Sequence, residues 1–301
     1  MTSSNFTYLE TEFPILYNIG CSAEYNLHSD PVTTLWKLRV FEEKIVDYLF
    51  EEHNLEKPRE NTLHNRIRIL EDERILQPNI ASLIHNIKHK GNIATHESKG
   101  TLEDAKTILF SAFKVAKWFY QSYSTENRNI VDLKFSIPPN QDARHALNEL
   151  EKNFTELEQK FKALLLEKET TILSQAKQQE ITERSESSAR NIDLDEAETR
   201  ELIDAKLQQA GWEVNTKELN YKLKKTLPKR GHNMAIAEWN VGDKWADYAL
   251  FIGTELYGIV EAKKWGQDIS TDLRQSKIYS SLASEEKIVE NFWQKKLLSS
   301  R

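Results

Sequence analysis

The segment KWADYALFIGTELYGIVEAKKW, residues 244–265, decides the fold of the C-terminal part of the chain. Its first apolar run, residues 248–253, ends in a turn around Gly253 and Thr254. A second run follows and contains the β-branched residues Ile259 and Val260. Two short apolar runs separated by a Gly-containing turn are typical of a β-hairpin. We therefore predict two strands that pair through this turn.

Three residues suited to catalysis stand at the ends of these strands. Asp247 begins the first run, and Glu261 and Lys263 end the second as E-A-K. Residues two apart on a strand point to the same face, so Glu261 and Lys263 project together. Asp247 lies beside them if the hairpin pairs as predicted.

The chemistry of this group favours a metal site. Hard divalent cations such as Mg²⁺ prefer carboxylate oxygens. A metal held by Asp247 and Glu261 can offset charge on a phosphate and lower the pKa of a bound water. Lys263 can orient that water or help to deprotonate it. An isolated E-x-K also occurs by chance at solvated strand ends, so the prediction depends on its combination with Asp247.

The sequence on either side of the hairpin predicts further helices and extended segments. Residues 195–210 have the periodicity of a helix that ends at Gly211, and extended chain begins at Trp212. A weakly alternating stretch follows at residues 233–240, and a last helix is predicted from Ser270. Between the first helix and the hairpin lies a basic cluster: Lys217, Lys222, Lys224, Lys225, Lys229 and Arg230. This cluster is either a solvated loop or a strip that contacts DNA phosphates.

Residues 25–125 predict a helical bundle, because apolar residues recur there at spacings of three and four. Asp30 and Pro31 are expected to cap one helix, and Thr101 another. Gly91 and Asn92 predict a sharp turn between the last two helices. Asn92 and His96 tie this corner together by hydrogen bonds, or else His85, His89 and His96 form a metal or ribonuclease site. Their spacing matches no standard zinc pattern.

Residues 126–192 predict a linker. Apolar residues from Leu147 to Leu164 form the seam of a coiled-coil-like helix, and the polar stretch that follows Lys168 predicts a flexible tether. The alternative is a helix that packs back onto the bundle, since fewer than four clean heptads are visible.

Composition narrows the class of protein. Only 9 Gly and 7 Pro occur among 301 residues, which points away from an all-β fold and towards long helices. The single cysteine, Cys21, excludes an intramolecular disulfide framework and fits a reducing cytoplasm. No secretory signal or membrane span is expected. The net charge of −6 is compatible with DNA binding, because a local basic strip is sufficient.

Several stretches resemble the nuclease domain of type I restriction enzyme R subunits. They are ETRELIDAKLQQAGWEV (198–214), KWADYALFIG (244–253), YGIVEAKKW (257–265), and Gln275 and Tyr279 in QSKIY. Their order of helix, strand, strand and helix is also that of the PD-(D/E)xK nuclease core. The resemblance implies that Asp247 and Glu261 bind Mg²⁺ and that Lys263 is the catalytic lysine.

The same resemblance implies roles for residues on the two helices. Gln275 and Tyr279 lie four apart on one helix face and would help to place the DNA or the surroundings of the metal. Glu198 and Glu201 are both candidates for the acidic residue of the first helix. Independently of the resemblance, if the basic cluster contacts DNA, we expect five of its members to do so, and we call them the basic strip: Lys222, Lys224, Lys225, Lys229 and Arg230.

The first segment resembles a helical domain of unknown function that precedes this nuclease in R subunits, including the corner Gly91, Asn92, Ala94 and His96. Lys88 stands where that corner often has Arg, which weakens a ribonuclease interpretation. We therefore predict a mostly helical α+β chain. It comprises a leader (1–24), a helical bundle (25–125), a linker with a coiled-coil-like helix (126–192) and a PD-(D/E)xK restriction-endonuclease-like domain (193–301).

The family implies an enzyme that hydrolyses double-stranded DNA in the cytoplasm, together with specificity and methyltransferase subunits. R subunits continue into an ATP-hydrolysing motor, whereas this sequence contains no G-x-x-x-x-G-K-[ST] loop. The polar residues after Tyr279 replace an expected core strand, so we expect a truncated R subunit or a fragment of one. The alternative is an inactive remnant that serves as a helical interaction module.

Overall fold

The computed structural model describes residues 4–126, 129–170, 173–192, 196–242 and 244–261. The chain divides into two compact units, residues 1–193 and 194–301. Helices predominate among the described residues, and the strands form one four-stranded sheet. The predicted mostly helical α+β class is confirmed. Over these same ranges, no helix combines the length and apolar character that crossing a membrane requires.

The first unit is a helical bundle built around one long central helix. Its elements are a short 3-10 helix (Thr7–Leu9), α1 (Pro14–Asn26), α2 (Pro31–Glu52), α3 (Leu63–Asp72), α4 (Pro78–Glu97), α5 (Leu102–Tyr123), α6 (Arg144–Thr170) and α7 (Gln175–Arg190). Helix α2 packs against α1, α3, α4, α5 and α6. The core therefore lies around α2.

The predicted helix caps are present. The side chain of Asp30 accepts a hydrogen bond from the backbone N–H of Thr33 at the start of α2. Thr101 and Asp104 form a reciprocal capping box at the start of α5. Both helices begin where the sequence predicted, because these side chains satisfy backbone N–H groups that the first helical turn leaves unpaired.

The predicted turn at Gly91 and Asn92 is wrong, because both residues lie inside α4. A Cβ atom on Gly91 would come within 2.4 Å of the Cβ atom of Arg39 in α2. Glycine is required here for close approach of two helices rather than for a turn. Asn92 does form a hydrogen bond, but to another helix, since Arg39 Nε donates to its Oδ1 at 2.8 Å.

The histidines of α4 have separate surroundings. Nε2 of His85 lies 3.0 Å from a carboxylate oxygen of Glu71, and His96 is exposed. Within the described ranges, no three His, Cys, Asp or Glu side chains are grouped closely enough to hold a metal ion.

The segment predicted as a leader is part of the bundle. Helix α1 spans the predicted boundary at residue 24, and Phe6, Leu9 and Phe13 ahead of it are buried. The rings of Phe13 and Phe119 in α5 are 4.8 Å apart. These aromatic residues belong to the core of the first unit, so the structure does not divide the chain at residue 24.

Helix α6 carries the predicted seam and packs against α1 and α2 of the same chain. Lys44 pairs with Glu158 at 3.0 Å, and Asn18 donates to the carbonyl of Leu150 at 2.9 Å. Phe161 of the seam is buried. The helix is confirmed, and its packing corresponds to the alternative in which it folds back onto the bundle.

The predicted flexible tether is wrong, because residues 175–190 form α7, which packs against α5. Its buried residues are Ile181 and three small residues, Ser185, Ser188 and Ala189. Arg184 donates to the carbonyl oxygens of Gln121 and Ser124 at the end of α5. Because small residues and hydrogen bonds attach this helix to the bundle, its sequence shows little apolar periodicity.

The second unit is a four-stranded sheet with helices. Its elements are α8 (Glu196–Gln209), β1 (Glu213–Val214), α9 (Tyr221–Lys224), β2 (Asn233–Val241), β3 (Lys244–Ile252) and β4 (Glu255–Val260). The strands lie in the order β1-β2-β3-β4, with β1 parallel to β2 and the other pairs antiparallel. Gly211 ends α8 with a φ of 88°, as predicted.

Each face of the sheet has its own apolar layer. Ile203 and Leu207 of α8 pack with a layer formed by Val214, Ala235, Ala237, Tyr248, Leu250 and Val260. A second layer is formed by Met234, Ile236, Ala249 and Phe251, and Leu219 and Tyr221 pack against it. The two layers hold the central strands β2 and β3 in place.

Candidate active site

The hairpin of β3 and β4 sets the candidate site. The two strands pair from Ile252 and Glu255 at the turn to Tyr248 and Val260 at the far end. The next residue on each strand beyond that last pair is Asp247 on β3 and Glu261 after β4. The predicted hairpin is confirmed, and its pairing ends where the two predicted carboxylates begin.

An irregularity in β4 determines which residues meet at this end. Leu250 pairs with Gly258 but Phe251 pairs with Leu256, so the register shifts by one residue between them. Tyr257 is the extra residue of this bulge. Without the shift, the pairing from the turn would place Asp247 opposite Val260 instead of next to Glu261.

Helix α8 contributes a cation to the same end of the sheet. Nη2 of Arg200 lies 3.2 Å from Oδ1 of Asp247 and 2.5 Å from Oε1 of Glu238 in β2. All three side chains are largely buried, with exposed fractions of 16% for Arg200, 23% for Asp247 and 20% for Glu238. A guanidinium therefore joins carboxylates from two adjacent strands.

Glu238 has an unusual backbone. Its φ is 49°, a left-handed conformation that is uncommon for residues other than glycine. It lies between the pairs Ala237–Tyr248 and Trp239–Ala246, which places it across from Asp247 in the register. Strained backbone of this kind is often found at functional sites.

A hydrogen-bonded group anchors α8 beside the site. The backbone N–H and the hydroxyl of Thr216 donate to the carboxylate of Asp204 in α8, at 2.8 and 2.7 Å. The hydroxyl of Tyr248 in β3 lies 2.9 Å from Asp204. Burial, and then the nearby carboxylate, raise the pKa of Tyr248 above its ordinary value. Tyr248 is therefore a neutral hydrogen-bonding residue that fixes α8 against β3, next to Asp247.

The other predicted site residues are only partly covered by the structure. Glu201 lies in α8 and is half-buried. Glu198 lies in the same helix, but its side chain falls outside the described part. Lys263, Gln275 and Tyr279 lie outside the described residues. The structure thus brings Asp247 and Glu261 to one end of the hairpin and leaves the positions of these three residues as predictions.

The chemistry of the two carboxylates fits Mg²⁺. Mg²⁺ is commonly held by one or two protein carboxylates while water and phosphate oxygens complete its coordination. Asp247 and Glu261 supply two hard oxygen donors from neighbouring strands. This donor set suits a metal that must also contact a phosphate, and it lacks the His and Cys ligands of a structural zinc site.

The predicted basic strip lies on and after α9. Its five members are exposed: Lys222, Lys224, Lys225, Lys229 and Arg230. Nζ of Lys222 lies 5.3 Å from the ring centre of Trp245 and 3.8 Å from Glu238. The strip therefore begins within ion-pair distance of a carboxylate that also contacts Arg200.

Arg200 and Glu238 were not identified from the sequence. The signal for Arg200 is its spacing, because it lies three and seven residues before the buried residues Ile203 and Leu207, on the same helix face. Glu238 gives no such signal, since its position opposite Asp247 depends on the pairing of β2 with β3.

Comparison with known proteins gives matches in both units. Residues 213–299 match the family described as "Type I restriction enzyme EcoKI endonuclease subunit second domain". Residues 22–128 match a domain of unknown function, DUF4145. The chain is 31% identical, over 335 aligned positions, to the type I restriction enzyme EcoKI endonuclease subunit of Escherichia coli (strain K12).

That alignment includes 93% of this chain and 28% of the relative, so the chain spans less than a third of the protein it matches. No solved structure matches the chain.

Proposed function

We propose, from the similarity of this chain to the type I restriction enzyme EcoKI endonuclease subunit, that its second unit carries a Mg²⁺-dependent endonuclease site for double-stranded DNA. The observation that carries the proposal is the hairpin register. It ends at Tyr248 and Val260 and leaves Asp247 and Glu261 as the next residues of the two strands.

Each residue of the site has a distinct proposed role. Asp247 and Glu261 would hold Mg²⁺, which when bound supplies positive charge for the phosphate and an acidified water. Lys263, two residues after Glu261, would orient the attacking water and stabilise charge on the phosphate. Glu198 or Glu201 of α8 would supply a further acidic group, and Gln275 and Tyr279 would help to place the DNA.

The basic strip supports DNA as the substrate. Its five exposed cations are available to phosphates, and counterion release from such contacts supplies affinity that does not depend on sequence. This local strip offsets a net charge of −6 for the whole chain. We propose that the strip guides the DNA backbone towards Asp247.

The wider assembly is also a proposal, because the chain spans only 28% of its relative. A complete type I enzyme in the cytoplasm would add specificity and methyltransferase subunits and an ATP-hydrolysing motor. Recognition of the DNA sequence and use of ATP would then belong to those parts, whereas this chain would contribute cleavage.

Cleavage of supercoiled plasmid DNA by the 301-residue chain tests the proposal. We expect nicking in Mg²⁺ that EDTA abolishes. Asp247→Asn and Glu261→Gln should reduce it by about 100-fold or more, since each removes a metal-binding charge. Glu255→Gln is the matched control, because Glu255 lies on the same strand at the turn end of the hairpin.

Nicking that persists in EDTA, or that survives both substitutions, would contradict a metal site at Asp247 and Glu261. The second candidate function is a helical interaction module without catalysis, which the extensive bundle of the first unit favours. A wild-type chain that binds its partner subunits but does not nick DNA would support that candidate.

A further inference from the structure

One nitrogen atom of Arg200 is shared between two carboxylates. Nη2 lies 2.5 Å from Glu238 and 3.2 Å from Asp247, which are on adjacent strands. The guanidinium is mostly buried, with 16% of its side chain exposed. Charge pairs in such surroundings are less screened by water than pairs on an open surface.

Asp247 is also one of the two metal ligands in the proposed function, on which this inference rests. A divalent cation and a guanidinium that share one carboxylate repel each other. Binding of a metal by Asp247 therefore opposes the ion pair between Asp247 and Arg200. The two cations compete for the same oxygen atoms.

Glu238 offers Arg200 a second partner. Its contact with Arg200 is the shorter of the two, and Lys222 lies 3.8 Å from its other oxygen. The left-handed backbone of Glu238, at a φ of 49°, is uncommon within a strand. Glu238 is thus a carboxylate beside the site that pairs with a cation from α8, Arg200, and one from α9, Lys222.

We propose that Arg200 is a resident counter-ion of this site. It neutralises Asp247 when no metal is bound, and it remains with Glu238 when Asp247 binds the metal. Arg200 is then a positioning residue that lowers the affinity of the site for the metal ion. Glu238 is the residue that keeps Arg200 away from the metal.

Calorimetric titration of the 301-residue chain with Mn²⁺ tests the inference. Arg200→Gln removes the charge but keeps a side chain that can donate hydrogen bonds. We expect it to tighten Mn²⁺ binding by about fivefold, because the competing cation is gone. Glu238→Gln should weaken binding by about threefold or more, because Arg200 then loses its shorter ion pair and competes more strongly for Asp247.

The opposite signs of these two effects separate competition from general damage to the fold, which would weaken binding in both variants. Lys206→Gln is the matched control, because Lys206 is an exposed cation on the same helix. It should leave Mn²⁺ affinity unchanged. An unchanged or weaker affinity in Arg200→Gln, or an equal gain in Lys206→Gln, would overturn the inference.

Asp247→Asn distinguishes this inference from the proposed function. If Asp247→Asn abolishes Mn²⁺ binding but Arg200→Gln has no effect, the metal site stands and the role of Arg200 is wrong. If Asp247→Asn leaves Mn²⁺ binding intact, the metal site itself is misplaced. A chain that binds no Mn²⁺ either as wild type or as Arg200→Gln overturns both.

Discussion

The indole Nε1 of Trp118 in α5 donates a hydrogen bond to the hydroxyl of Ser185 in α7, at 3.2 Å. Both residues are buried, and Arg184, next to Ser185, donates to two carbonyl oxygens at the end of α5. These contacts make α7 part of the first unit, although its sequence is polar.

We expect Arg184→Ala to lower the free energy of unfolding of the first unit by about 1–2 kcal/mol, because it leaves carbonyl oxygens of α5 without their charged donor. Arg190→Ala, at the exposed end of the same helix, should change it by only a few tenths. Thermal and urea unfolding of residues 1–193 measures both effects. Equal values for the two variants would argue for a loosely attached α7.

Gly91→Ala should destabilise the first unit by about 1–3 kcal/mol, because the added methyl group would overlap the Cβ atom of Arg39, which cannot move without its helix. Gly100→Ala is the control. There the added atom meets the end of a flexible side chain, Leu35 Cδ1 at 2.5 Å. A smaller loss for Gly91→Ala than for Gly100→Ala would show that α2 and α4 separate easily.

Glu42 should make stability depend on pH. Neither carboxyl oxygen has a hydrogen-bond partner in the described part of the chain, and burial raises its pKa well above the ordinary 4.5. This effect outweighs the opposing influence of nearby cations. The charged groups around it are Arg39 and Glu43 on α2, Arg66 on α3 and Lys88 on α4.

The direction of this pH effect follows from the difference in the pKa of Glu42 between the folded and the unfolded chain. A carboxyl group with a raised folded-state pKa costs no stability below pH 4.5, but it costs progressively more as pH rises and the unfolded chain ionises. Glu42→Gln should therefore raise the melting temperature at pH 8, with a gain that shrinks towards pH 5. Glu43→Gln should lower it instead, because Glu43 pairs with Arg39 and Arg66. Parallel pH curves for wild type and Glu42→Gln would contradict the assignment.

Lys263→Ala should abolish DNA cleavage in a complete subunit while ATP hydrolysis survives. Loss of a group that acts on the attacking water typically reduces the rate by orders of magnitude. Gln275→Ala should have a milder effect if that residue only positions DNA. Parallel assays of plasmid cleavage and phosphate release measure both activities. Full cleavage by Lys263→Ala would rule out the proposed mechanism.

A crystal structure with Mn²⁺ should place the side-chain ends of Asp247, Glu261 and Lys263 within about 4–7 Å of one another, close enough for one metal to bridge the carboxylates. A structure in which Asp247 and Glu261 point to opposite faces of the hairpin would contradict the site.

Local patterns predicted much of the fold. The hairpin follows from two apolar runs and a glycine turn, and the starts of α2 and α5 follow from capping residues at Asp30 and Thr101. Helix α7 was missed because its buried face depends on Ser185 and Ala189, which carry little hydrophobic signal. The role of Gly91 was misassigned because close helix packing and a turn both select glycine.

The candidate site was predictable only where its residues are near in sequence. Asp247 and Glu261 belong to one hairpin, and their placement follows from its pairing. Arg200, by contrast, contacts Glu238 and Asp247, which lie 38 and 47 residues further along the chain. Such contacts leave no periodic pattern in a single sequence.

The bulge at Tyr257 has an evolutionary consequence. Insertion or deletion of a single residue anywhere between Asp247 and Glu261 would change which residues face each other across the hairpin. Most surface turns tolerate length changes, whereas the length of this hairpin would determine the geometry of the proposed site. In active relatives we therefore expect the fourteen-residue spacing from Asp247 to Glu261 to persist even where the side chains between them diverge. Lineages in which that spacing has drifted should be the ones that have lost nuclease activity.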